Sequence, residues 1–236
     1  VGSNPDTGAR VLAVYAGRTG TLRWGGRPVA SAYVKSPVEG PVTVGPEGLE
    51  GDEQGDRRHH GGPDKAVCVY PGEHYPHVEE RFGGPLGPAA FGENLTTRGL
   101  LDAEVVIGAT YRVGTALVQV SQPRRPCYKI AARHAALTGA RRLPVELQRI
   151  SRTGFYLRVL VPGQVERGQG IHLEDVPAHG LTVAEVNRVM NVDRHDLDGV
   201  RRLLAARADL PARWVETLTA RLDGRYDDDT SRIAGT

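Results

Sequence analysis

The residues best suited to chemistry lie at positions 121–129, Ser-Gln-Pro-Arg-Arg-Pro-Cys-Tyr-Lys, with Cys127 at their centre. Arg124, Arg125 and Lys129 all stand within three residues of it. Positive charge beside a thiol favours the thiolate and lowers the cysteine pKa. A thiolate is both a nucleophile and a soft metal ligand, and the residues by themselves leave that choice open. Pro123 and Pro126 restrict the backbone on either side, as a rigid loop at a strand end requires. Cys68 belongs to an apolar run and reads as a buried, inert cysteine.

A second polar loop covers residues 55–66, Gly-Asp-Arg-Arg-His-His-Gly-Gly-Pro-Asp-Lys-Ala. Its glycines permit the close backbone approach of an anion-cradling loop. His60 and Lys65 are candidates to contact a phosphate or a substrate oxygen, and Asp56 or His60 to deliver a proton. The ordered Gly-x4-Gly-Lys-Ser/Thr pattern is absent, so this is not a nucleotide phosphate loop. Its plainer reading is a tight turn with solvated charges. A third segment, residues 91–95, sets the acceptor Glu93 and the amide Asn94 directly after Gly92, between the apolar anchors Phe91 and Leu95. Glu73 and His74 form no His-Glu-x2-His pattern and are expected at the surface near Tyr75. His134, seven residues after Cys127, is a candidate general base by proximity alone.

The elements that must position these groups are mostly short and β-prone: residues 11–15, 29–34, 42–44, 66–70, 104–107, 116–120, 155–161 and 171–173. Glycine and proline pairs separate them, and long helices do not alternate with them. That pattern points to a β-barrel or sandwich rather than a Rossmann or TIM plan. Residues 144–152 carry a helical apolar period. After His179 the helical period takes over. Thr182 and Glu185 form a capping box, Val200, Leu203 and Leu204 mark a second helix, and Pro211 opens a third with Trp214, Leu218 and Leu222 in one stripe. The expected organisation is a flexible start over residues 1–10, a mainly β domain over 11–178, a small three-helix domain over 179–224 and a flexible end over 225–236.

The chain has 236 residues, two cysteines and a formal net charge of +2. Two cysteines cannot build a disulfide framework, and free thiols fit a cytoplasmic setting. The small net charge argues against general nucleic-acid binding, and no long apolar run suggests a membrane span. The charge is uneven: cations gather around Cys127, while Asp227, Asp228 and Asp229 lie near the end. No iron–sulfur spacing or dinucleotide fingerprint occurs, so redox chemistry would need an external electron donor.

Together, residues 49–56, 60–67 with Tyr70, 91–95 and 122–129 resemble the MOSC family, named for the C-terminal domain of molybdenum-cofactor sulfurases, and more closely its YiiM-like branch. The helical end resembles the three-helix module of that branch. The resemblance implies a MOSC-type β-barrel with peripheral helices, holding a molybdopterin-type molybdenum cofactor. It makes Cys127 the thiolate ligand to molybdenum and places His60, Lys65, Asn94, Arg124 and Arg125 around the cofactor. The implied activity is two-electron reduction of N-hydroxylated bases or related compounds, N–OH to N–H. A flavin-dependent reductase or ferredoxin-type donor would supply the electrons, and a homodimer is conceivable. Two rival readings are a cofactor carrier or sulfur-transfer protein using Cys127, and a noncatalytic anion or nucleic-acid binder.

Overall fold

The computed structural model describes residues 8–55 and 61–235. The β-prone runs build a single eight-stranded sheet from β1 (Arg10–Ala16), β4 (Ser36–Pro37), β7 (Val67–Pro71), β8 (Leu95–Arg98), β9 (Thr110–Val113), β10 (Ala116–Pro123), β11 (Phe155–Val161) and β13 (Ile171–Asp175). Their order is β13-β9-β10-β11-β7-β8-β1-β4, antiparallel except where β7 runs parallel to β8. The sheet curls on itself. Val11 N donates to Gln169 O and Ile171 N to Ala9 O, which ties the start of β1 to the start of β13. Val11, Val67, Val69, Val113, Val118 and Phe155 fill the enclosed side. A smaller sheet joins β5 (Val42–Gly45), β6 (Gly48–Leu49) and β12 (Gly163–Val165). β2 (Gly20–Trp24) and β3 (Arg27–Ser31) form a hairpin whose two turn residues, Gly25 and Gly26, both take positive φ, as its tight turn demands.

Residues 104–107 depart from the expected strand. They form a turn with one bridge, from Val106 to Thr182. Val105 and Ile107 are buried because this turn holds the helical module: Ile107 N donates to Leu181 O and Val183 N to Val105 O. Three short helices surround the open side of the sheet: α1 (Tyr75–Phe82), α2 (Tyr128–Arg133) and α3 (Leu143–Arg149). α3 stops before residue 152, the end its period suggested, and Ser151 turns the chain at φ 51°.

The helical module begins as its capping box requires. Thr182 Oγ1 accepts from Glu185 N at 3.2 Å, starting α4 (Val183–Asn187), which widens into a π-type turn over Arg188–Val192. Asp196 caps α5 (Leu197–Ala205) by accepting from Gly199 N, and α6 (Ala212–Leu222) follows Pro211. Trp214 and Leu218 are buried, whereas Leu222 is 40% exposed, so the apolar stripe ends one turn early. Val186, Met190, Leu203 and Leu218 share one continuous apolar cluster with Ile107 and Val118, so the module packs directly on the sheet. No helix among the described residues is long and apolar enough to cross a membrane.

The end of the chain corrects a further expectation. Residues 225–235 fold back over the molecule and carry α7 (Thr230–Ala234), instead of trailing as a loose end. Asp227 and Asp229 pair with Arg125 of the cysteine loop and with Arg194 of the module. Opposite charges far apart in sequence offset one another across this join.

Candidate functional site

β10 ends at Pro123, and the cysteine loop is pinned there by Arg124 N donating to Gly154 O at 2.9 Å. Gly154 has φ 68°, and a Cβ at that position would lie 2.3 Å from Val69 O. Only glycine therefore allows β11 to start so close to β7. Cys127 follows in extended conformation as the residue before α2, and is 5% exposed. Ile130 of α2 is locked among Phe91, Leu143 and Leu147, which fixes the helix behind the thiol. Cys127 lines a cleft with about 650 Å³ of space, open solvent at its mouth included.

Cations dominate that cleft. Arg124 is only 6% exposed, its guanidinium stands 5.5 Å from the centre of the Tyr33 ring, and its Nη1 has no hydrogen-bond partner among the described residues. Gly92, at φ 68°, lets the Tyr33 ring approach the backbone of residues 91–95, since a Cβ there would lie 3.0 Å from it. Lys65 reaches the cleft from a loop anchored twice: Ser121 Oγ donates to Asp64 O, and Arg158 Nε donates to Asp64 Oδ1 at 2.9 Å. Lys35 pairs with Asp52, both nearly buried. Asp52 also accepts from Gly17 N at 2.8 Å and from Asn94 Nδ2 at 2.9 Å.

Lys65, Asn94, Arg124, Arg125 and Cys127, separated in sequence, all line this one cleft. Asn94 does so with its amide engaged: Oδ1 accepts from Cys68 N, and Nδ2 serves Asp52 and Tyr15 O. Its local work is to join β7, β1 and the Asp52 loop. Arg125 turns toward the end of the chain, where it meets Asn191, Asp227 and Asp229. Asp56 and His60 lie outside the described residues, but Gly55, immediately before them, lines the cleft. Glu93 points away into the core, fully buried, and accepts from the Tyr75 hydroxyl, Phe91 N and Thr96 Oγ1.

Two histidine expectations need revision. His74 is buried rather than at the surface, with Nε2 2.8 Å from Asp102 Oδ2. His134 Nε2 bonds Ala90 O at 2.8 Å, and burial lowers its pKa; it braces α2 against residue 90 and has no recorded bond to Cys127. Sequence reasoning missed Lys35, Tyr33 and Tyr156 as cleft residues; Cys68 is buried as expected and also lines the same cleft as Cys127. Burial pushes the Cys68 thiol up to about 11, with the Arg124 charge working against it. Burial also raises the Tyr33 and Tyr156 phenols, so both hydroxyls keep their protons at neutral pH. Strand pairing carried the signal for Tyr156, because Cys68 and Tyr156 are register partners across β7 and β11.

The cleft thus offers an unpaired buried guanidinium donor, lysines, a thiol and protonated phenols, a set matched to an anionic, sulfur-seeking group. Residues 56–172 match the family model described as "MOSC domain", and residues 181–225 match "YiiM-like, 3-alpha helix domain". The chain is 38% identical to "Protein YiiM" of Escherichia coli over 89% of its own length and 92% of that protein. It is 35% identical to a protein named "Reductase" from Gibberella moniliformis, covering 85% of this chain but only 35% of that one. The crystal structure of YiiM from Geobacillus stearothermophilus superposes with a TM-score of 0.75 at 35% identity, over 91% of this chain and 99% of that one.

Proposed function

The chain belongs to the MOSC domain family, in its YiiM-like branch, and on that premise we propose that it is a molybdenum-cofactor-dependent reductase of N-hydroxylated bases and related N-hydroxy compounds. The single observation that carries this reading is the buried, unpartnered Nη1 of Arg124 in the same cleft as Cys127. A buried guanidinium donor left unmade is costly, and an anionic ligand relieves that cost. Arg124 and Lys65 would hold the cofactor's phosphate and pterin oxygens, with Asn94 and Asp52 keeping the wall in place. Cys127 would give its sulfur to molybdenum, and Asp56 and His60 are proposed as proton donors. When bound, the group supplies two-electron redox chemistry at a single centre.

The overall conversion is R–NH–OH plus two electrons and two protons to R–NH₂ and water. Its electrons would come from a flavin-dependent or ferredoxin-type protein. The protein's own part is to orient the N–OH group, limit water around it and deliver protons. Tyr33 and Tyr156 contribute neutral hydroxyls that can donate hydrogen bonds to substrate without adding negative charge. The test is molybdenum and pterin analysis of chain made in a cofactor-competent host, with a cofactor-deficient host as control. The same protein is then assayed with an N-hydroxylated purine and a supplied reductant. Near-stoichiometric molybdenum with purine reduction is expected, and folded, cofactor-free protein from the competent host would refute the proposal.

A further inference from the structure

The end of the chain grips the cysteine loop at every residue around the thiol. Arg125 donates to Asp229 and Asp227. Pro126 O accepts from Arg232 Nη1, which also meets Gln148 Oε1 at 2.6 Å. Tyr128 packs against Gly235, where a Cβ would lie 2.7 Å from the Tyr128 ring. On the far side of that glycine, Trp24 Nε1 donates to Ala234 O at 2.7 Å, and Trp24 and Tyr128 pack ring to ring. Cys127 lies among those contacts, within electrostatic reach of Arg232.

Charge is what holds the segment down. Asp227 sits among Arg125, Arg194 and Arg221, and Asp229 among Arg125, Arg194 and Arg232. Four guanidinium groups thus share two carboxylates, which are one-fifth to one-third exposed. Arg194 Nε, Arg221 Nε and Arg232 Nη2 are buried without a hydrogen bond among the described residues, while Arg194 Nη2 and Arg221 Nη2 both donate to Asp227 Oδ1. Ion pairs at that exposure weaken as salt rises. The apolar contribution is small: α7 has no buried residue.

We propose that residues 225–235 are an ion-pair latch that restrains the cysteine loop and with it the Cys127 thiol, with Arg232 as the residue that positions the loop through the Pro126 carbonyl. The latch opens as a local unit while the sheet and module stay folded, because partly buried ion pairs hold it and α7 buries no side chain. Opening frees the loop that carries the thiol, and closing holds it. The proposal takes Cys127 as the site thiol, as the functional reading does, but it concerns access to that thiol and needs no molybdenum.

The test is peptide-resolved alkylation of cofactor-free, full-length protein by iodoacetamide at fixed pH, with Cys68 as internal reference. In the wild type, Cys127 should react at least about fivefold faster at about 1 M salt than at about 0.05 M, since the screening length shrinks several-fold across that range. Arg232→Met should react fast at both salts and lose the salt response. Arg232→Lys keeps a charge and one donor, and should restore part of the protection and of the salt response. Cys68 should be unchanged throughout. A salt-independent wild-type rate overturns the latch without recourse to any variant. So does a wild-type rate in Arg232→Met, and so does a parallel rise at Cys68, which would mean general loosening. A latch that passes this test in protein that never takes up molybdenum would refute the reductase reading alone.

Discussion

Replacing Asp227 with Asn removes one carboxylate from among three guanidinium groups while keeping the side chain's shape. Burial by itself would raise this carboxyl's pKa, but Arg125, a hydrogen bond from Arg221, and Arg194 outweigh it and hold the value at about 2, against 3.8 ordinarily. A carboxyl so depressed contributes about 2 kcal/mol at neutral pH by linkage. The side chain is 32% exposed, so solvent screening brings the expectation to about 1–1.5 kcal/mol. The sign follows from the direction of the shift. The contribution is complete above the unfolded value near 4 and disappears as pH falls through about 2. Urea unfolding of wild type and Asp227→Asn at constant ionic strength, from neutral pH down to about 2.5, reads it directly. The gap should be full at neutral pH and close steadily below about pH 4. A negligible gap at neutral pH, or one that persists unchanged into acid, would refute the assignment of Asp227 as the counter-charge of this cluster. The fully buried Arg221, whose remaining recorded partners are Val189 O and Met190 O, makes a negligible gap the harder outcome to reconcile with the structure.

Cys127→Ser should abolish reductase activity and lower molybdenum retention with no change in the circular dichroism spectrum, because serine is close to cysteine in size and the thiol lines a cleft; full activity in loaded protein would remove Cys127 from the metal. Arg124→Gln should cut cofactor retention at least about tenfold, and Arg124→Lys should not restore it, since a point charge replaces a planar fork; equal metal content in wild type and both variants would argue against the anion role. Asp102→Ala strands Thr153 N, Gly154 N and the His74 ring, so a loss of at least about 3 kcal/mol is expected in urea unfolding. Trp214→Ala, at a site 5% exposed, should cost about 3–5 kcal/mol, read in the same way.

Cys127, Arg124 and Lys65, which line one cleft, stood out as candidates in the sequence because each sits in a short run whose composition is odd for its setting: cations around a cysteine, glycines before a lysine. The capping box at Thr182 and the burial of Trp214 and Leu218 were legible because helices write their faces into local spacing. Lys35 left no such trace. It matters only because β1, β7 and residues 91–95 bring Asp52 and Asn94 to it, and no local period encodes that meeting. The apolar neighbours of Cys68 correctly gave a buried cysteine on a strand, but strand burial does not tell whether a side chain also borders a cleft. The acidic end was the largest misreading, since composition assigned Asp227, Asp228 and Asp229 to a solvated end. Arg125 and Asp229 are 104 residues apart, and Coulomb attraction has no sequence period that would reveal the pairing. The candidate reactive thiol is therefore a local property of the chain, while the contacts proposed to restrain it are a property of the topology. Substitutions in the residues 121–129 should act on chemistry, and substitutions in residues 225–235 on access to it.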